Sequence, residues 1–103
     1  MVIIVERADP RSPSARELLR AGHAAMQALF PAKRQVAFSI EPFLADSVLL
    51  FVASVAGRDV GCCALFLNRD FAELKRLYVA PDARRQGAAN RLVAHAEKVA
   101  MGA

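Results

Sequence analysis

Eight consecutive positions, Val48-Leu49-Leu50-Phe51-Val52-Ala53-Ser54-Val55, carry seven apolar side chains and no charge. Successive side chains of a strand point to opposite faces, so a run that is apolar at both parities has to be covered on both sides. A chain holding such a strand needs one layer above its sheet and another below. Ala56-Gly57-Arg58-Asp59 reads as a hairpin turn, and Val60 to Leu67 as the next strand. Gly61 within that strand marks a bulge or a close approach of backbone.

The rest of the chain supplies candidates for those layers. Val2 to Glu6 is a short β-branched run, a first strand. Asp9-Pro10-Arg11-Ser12-Pro13-Ser14 is turn chemistry, and a helix follows it. Two starts are compatible: Ser12 as cap with Pro13 in the first turn, or Ser14 and Glu17 as a capping box. Ala15, Leu18, Leu19, Gly22, Met26, Leu29 and Phe30 share one helical face, and Pro31 stops the helix. Lys33 to Asp46 has no period and reads as a loop with one helical turn at most. Asn68-Arg69-Asp70 turns the chain again, Phe71 to Val79 is a more polar strand, and Pro81-Asp82 breaks it. From about Gln86 a second long helix runs to Ala100. Its apolar face is Ala89, Leu92, Val93, Ala96, Val99 and Ala100, with Gly102 at the C-cap position.

At 103 residues the chain is one domain at most. With 55% hydrophobic and 23% charged residues it reads as globular. No apolar run approaches the roughly 20 residues of a membrane span. The opening Met1-Val2-Ile3-Ile4-Val5 has no basic segment and meets Glu6 at once, unlike a signal peptide. The expectation is a cytoplasmic protein with no membrane partner. The net charge of +4 suits an acidic ligand. No nucleic-acid motif or stacking platform accompanies it, so nucleic acid is not an expected partner. Cys62 and Cys63 are strand neighbours facing opposite ways and cannot easily bridge; they read as small buried apolar residues. No Cys/His ligand spacing points to a metal. His23 and His95 read as ordinary helix residues.

The stretch that carries chemistry is Glu73-Leu74-Lys75-Arg76-Leu77-Tyr78-Val79-Ala80-Pro81-Asp82-Ala83-Arg84-Arg85-Gln86-Gly87-Ala88-Ala89. It is a strand, a tight basic loop and a helix start. First-turn amides of a helix have no internal partner and sit at the positive end of the dipole, which makes an anion site. Gly87 lets backbone approach a ligand, and Arg84 and Arg85 add groups that grip phosphate through paired hydrogen bonds. The bare pattern Arg-x-x-Gly-x-(Gly/Ala) is weak, and Arg58-x-x-Gly61-x-Cys63 nearly matches it. Its strength lies in following a strand that ends Tyr78-Val79-Ala80-Pro81 and in opening an amphipathic helix.

In that context Val79-Ala80-Pro81 with Arg84-Arg85-Gln86-Gly87-Ala88-Ala89 resembles motif A of the GNAT superfamily of N-acetyltransferases. The likeness covers nearly the whole chain and is specific from Glu73 to Leu92. It implies an α/β fold (an α+β arrangement with a mixed sheet). Residues 1–103 would be a single partial GNAT domain, the N-terminal half of the acyl-CoA N-acyltransferase fold in the order β-α-(loop)-β-β-β-α. It further implies acetyl-CoA as acetyl donor and an amine as acceptor. The pantetheine arm would pair with backbone of Leu77, Tyr78 and Val79. The pyrophosphate would lie on Arg84, Arg85, Gln86, Gly87, Ala88 and Ala89. Glu73 is the candidate general base, direct or through a water, since only the free amine is nucleophilic. A base working near neutral pH needs its pKa raised by burial. The opposing reading of Glu73 is a solvated strand residue paired with an Arg across the hairpin.

Members of the superfamily usually continue past this helix. A splayed strand completes the cofactor cleft, and a later helix brings a Tyr that protonates the leaving thiolate. Here the sequence ends at Met101-Gly102-Ala103, and its one Tyr, Tyr78, lies on the cofactor strand. The expectation is a truncated or split form, with a homodimer or a complementing chain covering the open sheet edge. Two other readings stay open: an acetyl-CoA-binding remnant without turnover, and a dimeric interaction module of GNAT origin.

Overall fold

The computed structural model describes residues 1–102. Four strands, β1 (Ile3–Ala8), β2 (Val48–Val55), β3 (Arg58–Leu67) and β4 (Ala72–Val79), form one sheet in the order β1-β2-β3-β4. All three pairings are antiparallel. Helix α1 (Pro13–Leu29) lies on one face and α2 (Ala88–Gly102) on the other. This is the expected order of elements, with the expected helical turn in the loop at Glu41–Leu44.

The double cover of β2 and β3 is what their composition demands. Phe51, Ala53, Cys63 and Leu65 pack with Leu92 and Ala96 of α2. Leu50, Val52, Cys62 and Ala64 pack with Ala15, Leu18 and Leu19 of α1. Cys62 and Cys63 thus fall on opposite faces, both free and both fully buried.

Several boundaries differ from expectation for local reasons. The β2–β3 hairpin turns on Ala56 and Gly57 alone, with φ of 51° and 82°. Two positive φ values make a tight turn whose twist suits the flanking strands, so Arg58 and Asp59 join β3. At the start of α1, Ser12 holds the cap position with Pro13 behind it, but its hydroxyl bonds Asp9 and not the helix. The capping box does not form. Ser14 donates to Asp59 at 2.5 Å, and Glu17 pairs with Arg20. Only the first half of the expected α1 face is core. Met26, Leu29 and Phe30 are exposed, because that end of the helix overhangs the sheet at β4. Helix α2 begins two residues later than expected and runs through Gly102, past the expected cap.

Two bulges shape the sheet. Val60 is an extra residue of β3 against Ala53 and Ser54. In β4, Arg76 and Leu77 together oppose Cys63, with Arg76 at φ 61°. Such an insertion bends the strand and re-aims its side chains. Gly61 sits between the two bulges, where an added Cβ would lie 2.9 Å from the Tyr78 carbonyl.

Gly61→Ala is therefore expected to destabilise the fold by about 1–3 kcal/mol through overpacking against backbone, read as a lower urea midpoint with unchanged slope. Burial pushes the Cys62 thiol from 9.0 up to about 12, with Cys63 adding to it, and burial pushes the Cys63 thiol up to about 11. Both thiols hold their protons longer folded than unfolded. Their contribution is complete below pH 9 and is lost as pH rises through 11–12. Denaturant titrations between pH 8 and 11 are expected to show stability falling with pH, and falling less in Cys62→Ala.

Candidate functional site

β4 ends at Val79, and the chain turns through Pro81–Ala83 and Arg84 to Gly87 before α2 begins. Two residues of this turn, Arg85 and Gly87, have φ of 66° and 95°. Backbone bent this way turns successive N–H groups toward one side, a concavity that suits anions. Gly87 is the helix cap by its backbone, since its carbonyl accepts from the Arg91 amide at 3.0 Å. It brings no side chain to occupy the first-turn donors. The amides of Gly87, Ala88 and Ala89 have no acceptor among the described residues.

The reason for a glycine here differs from the sequence-based one. Its missing Cβ would point toward Ile3, 3.9 Å from Cδ1, and would meet nothing else within 4 Å. Space is available. What the position requires is the backbone angle of 95°, which L side chains rarely adopt.

Arg84 turns back onto the strand. Its Nε donates to the Val79 carbonyl at 2.9 Å, and its guanidinium carbon lies 5.8 Å from the Tyr78 ring centroid. The Ala80 amide donates to Val60, so by strand alternation the main chain of Val79 faces away from β3 and that of Tyr78 faces toward it. Val79 thus offers backbone groups on the free side of β4, and Arg84 has engaged one lone pair of its carbonyl. The Tyr78 side chain packs over Gly22 of α1, its Cβ 3.1 Å and its ring Cγ 3.3 Å from where a Cβ there would stand. Arg58 donates to Asp82 at 2.8 Å, fastening the turn to the start of β3 and holding the Asp82 carboxyl below its usual range. Arg85 makes no ion pair among the described residues.

A cleft of about 480 Å³ opens between α1, β4 and this turn. That size falls in the usual range for small-ligand sites. Leu77, Tyr78 and Val79 line it from β4. Arg84, Arg85, Gly87, Ala88 and Ala89 line it from the turn and α2. The fold therefore gathers at one cavity eight of the ten residues singled out from the sequence. Gln86 is exposed and outside the lining. Glu73 is also outside; its carboxylate is half exposed and stands 3.6 Å from Lys75 Nζ. It pairs with a lysine of its own strand and not with an arginine across the hairpin.

Sequence reasoning missed the other wall. Gly22, Ala25, Met26 and Leu29 of α1 line the cleft, with Asn90 at the N-terminus of α2. Gly22, Met26 and Leu29 were assigned to the core face and Ala25 to no face, and the available signal was the small pair Gly22 and Ala25 among larger apolar neighbours. Among the described residues no group of three His, Cys, Asp or Glu stands close enough to hold a metal ion. No helix there is long and apolar enough to cross a membrane.

A family model for an acetyltransferase (GNAT) domain matches residues 46–103, which include β4, the turn and α2. No curated protein matches the sequence. Solved structures share the fold. A provisionally assigned acyl-CoA N-acyltransferase from Klebsiella pneumoniae superposes with a TM-score of 0.76 at 24% identity, over 97% of this chain and 64% of its own. An acetyltransferase from Elizabethkingia anophelis, solved with acetyl-CoA bound, gives 0.69 at 19% identity, over 97% of this chain and 58% of its own. N-acetylglutamate synthase from Neisseria gonorrhoeae, solved with coenzyme A and N-acetyl-glutamate, gives 0.72 at 21% identity, over 99% of this chain and 23% of its own. This chain spans less than two thirds of the length of each of these three.

Because Gly87 has space but a demanding backbone angle, Gly87→Ala is expected to cost roughly 1–2 kcal/mol. Gly87→Asn is expected to cost less, since Asn tolerates a left-handed backbone. Urea midpoints of the two variants check this order.

Proposed function

This chain belongs to the GNAT acetyltransferase family, and from that premise we propose that it binds acetyl-CoA in the cleft beside β4 and transfers the acetyl group to an amine. The observation that carries the reading is the conjunction of unbonded amides at Gly87, Ala88 and Ala89 with a cleft of about 480 Å³ along the free side of Val79. Neighbours of the same fold were solved with acetyl-CoA or coenzyme A bound, which supports the donor.

In this reading the turn amides and Arg85 hold the pyrophosphate. The outward backbone of Val79 pairs with the pantetheine arm, against an apolar wall of Tyr78, Met26 and Leu29. Arg84 holds one lone pair of the Val79 carbonyl on the same free side and fixes its direction, leaving the other lone pair for the arm. Glu73, working through a water, takes the proton of the acceptor ammonium. The freed amine adds to the thioester carbonyl, the C–S bond breaks, and the thiolate leaves to take up a proton. The whole of residues 1–103 acts as one partial GNAT domain. Leu74 and Leu77 on β4, with Phe71 just before it, are exposed, and β4 is an edge strand of the described sheet. We propose that a second copy or a complementing chain covers it.

A second reading, acetyl-CoA binding without turnover, draws support from the position of Glu73, exposed and outside the cleft lining.

Calorimetry with acetyl-CoA tests the site. Binding is expected, weakening with added salt as ionic contacts are screened, and much weaker for S-acetyl-pantetheine, which lacks the pyrophosphate. Asn90→Asp is nearly isosteric and places a negative charge at the start of α2, which favours the helix but repels phosphate. It is expected to keep or raise the melting temperature while weakening acetyl-CoA by roughly tenfold, about 1.4 kcal/mol. Unaltered affinity in Asn90→Asp removes the helix start from the site. Release of free thiol with an amine present separates the two readings.

A further inference from the structure

Neighbours on a regular strand point to opposite faces, so Lys75 and Arg76 should be separated by the sheet. They are not. Lys75 Nζ stands 5.1 Å from the centroid of the Phe66 ring, and the Arg76 guanidinium carbon stands 5.9 Å from that of Phe43. Phe43 and Phe66 meet nearly edge-on at 6.0 Å, and both belong to the α1 side of the sheet. The bulge is the cause. Arg76 adopts φ 61° where Arg76 and Leu77 together oppose Cys63, and that insertion brings its side chain to the side of Lys75.

A bulky residue held in the left-handed region is uncommon, and such strain gathers at functional positions. The bulge is anchored by contact of the Arg76 carbonyl with Cys62 Sγ at 3.7 Å. The two cations are themselves held over ring faces, where the ring quadrupole attracts positive charge. Glu73 brings the cluster one carboxylate, 3.6 Å from Lys75.

The position matters as much as the charge. Arg76 directly precedes Leu77, the first β4 residue to line the cleft. A strand advances about 3.3 Å per residue, so the cluster adjoins the cleft along the same strand. An acceptor entering from this side meets two fixed positive groups and one negative. A polyamine or other polycation is repelled by that pair. An amine that also bears an anion is matched, its ammonium toward Glu73 and its anion toward Lys75 and Arg76.

Resting on the acetyl-transfer reading above, we propose that the acceptor is an amino carboxylate, with a free amino acid as the simplest form, and that Lys75 and Arg76 are its anion subsite. The bidentate geometry of a guanidinium on a carboxylate suits Arg76 to this role.

The test has two stages on the whole chain. Calorimetry first measures acetyl-CoA binding. Ligand-observed NMR titrations with coenzyme A present then compare a mixture of the common L-amino acids, the same amino acids as methyl esters, and spermidine. The expected result is binding from the amino-acid mixture at least tenfold tighter than from the esters or spermidine. Arg76→Asn, chosen because Asn tolerates φ near 60°, is expected to abolish that discrimination while keeping acetyl-CoA affinity. Lys75→Gln, on regular backbone, is expected to reduce it. If acetyl-CoA binds but the esters or spermidine bind as well as the free amino acids, the subsite is wrong and the donor site stands. Discrimination retained in both variants likewise overturns the assignment to these side chains. If acetyl-CoA itself does not bind, the functional reading fails and this inference fails with it.

Discussion

The structure follows from one constraint: β2 and β3 are apolar on both faces and cannot be left bare on either. One helix alone cannot cover both sides, so α1 and α2 are forced onto opposite layers. Because α1 packs on β3 and β4 while α2 crosses all four strands, the two helices approach the β4 edge from opposite sides and leave a cleft between them there. The cleft is a by-product of covering a hydrophobic strand pair with helices, and the turn from β4 to α2 has to pass through it.

That turn is held by contacts whose partners are backbone or surface groups. Arg84 reaches the Val79 carbonyl, Arg58 reaches Asp82, and positive φ at Arg85 and Gly87 supplies the curvature. No buried charge is needed; among the described residues no polar or charged side chain is buried. The positive character of the site therefore stays in contact with water. A phosphate-bearing ligand would meet it without first having to break a buried ion pair, a step that carries a desolvation penalty.

The order of elements along the chain was legible because its signals are local: the run from Val48 to Val55, the turn at Ala56-Gly57, the breaks at Pro31 and Pro81. Eight of the ten residues singled out from the sequence meet at one cleft because they lie in one continuous segment that turns from β4 into α2. What escaped was tertiary. Met26 and Leu29 continue the apolar spacing of Leu18 and Leu19, and no periodicity reveals where the supporting sheet stops. The β4 bulge was equally hidden. Arg76 carries no sequence mark of a left-handed backbone, and only the register against β3 exposes it. The capping box failed for the same kind of reason: Asp59, 45 residues away in sequence, claims the Ser14 hydroxyl.

The overhang of α1 gives the cleft two walls of unequal stiffness. On one side, Tyr78 and Val79 belong to strands paired into the sheet and backed by the core. On the other, Met26 and Leu29 belong to the final turns of a helix with no sheet beneath them, where the opening free energy of a helix is lowest. Methionine is also the apolar side chain that re-packs most readily. The cavity is thus hinged on a compliant side. Along α1 the wall runs from the close contact of Gly22 with Tyr78 to the exposed Leu29, so guests of different girth would be accommodated by the Met26 and Leu29 side chains before the strand had to move.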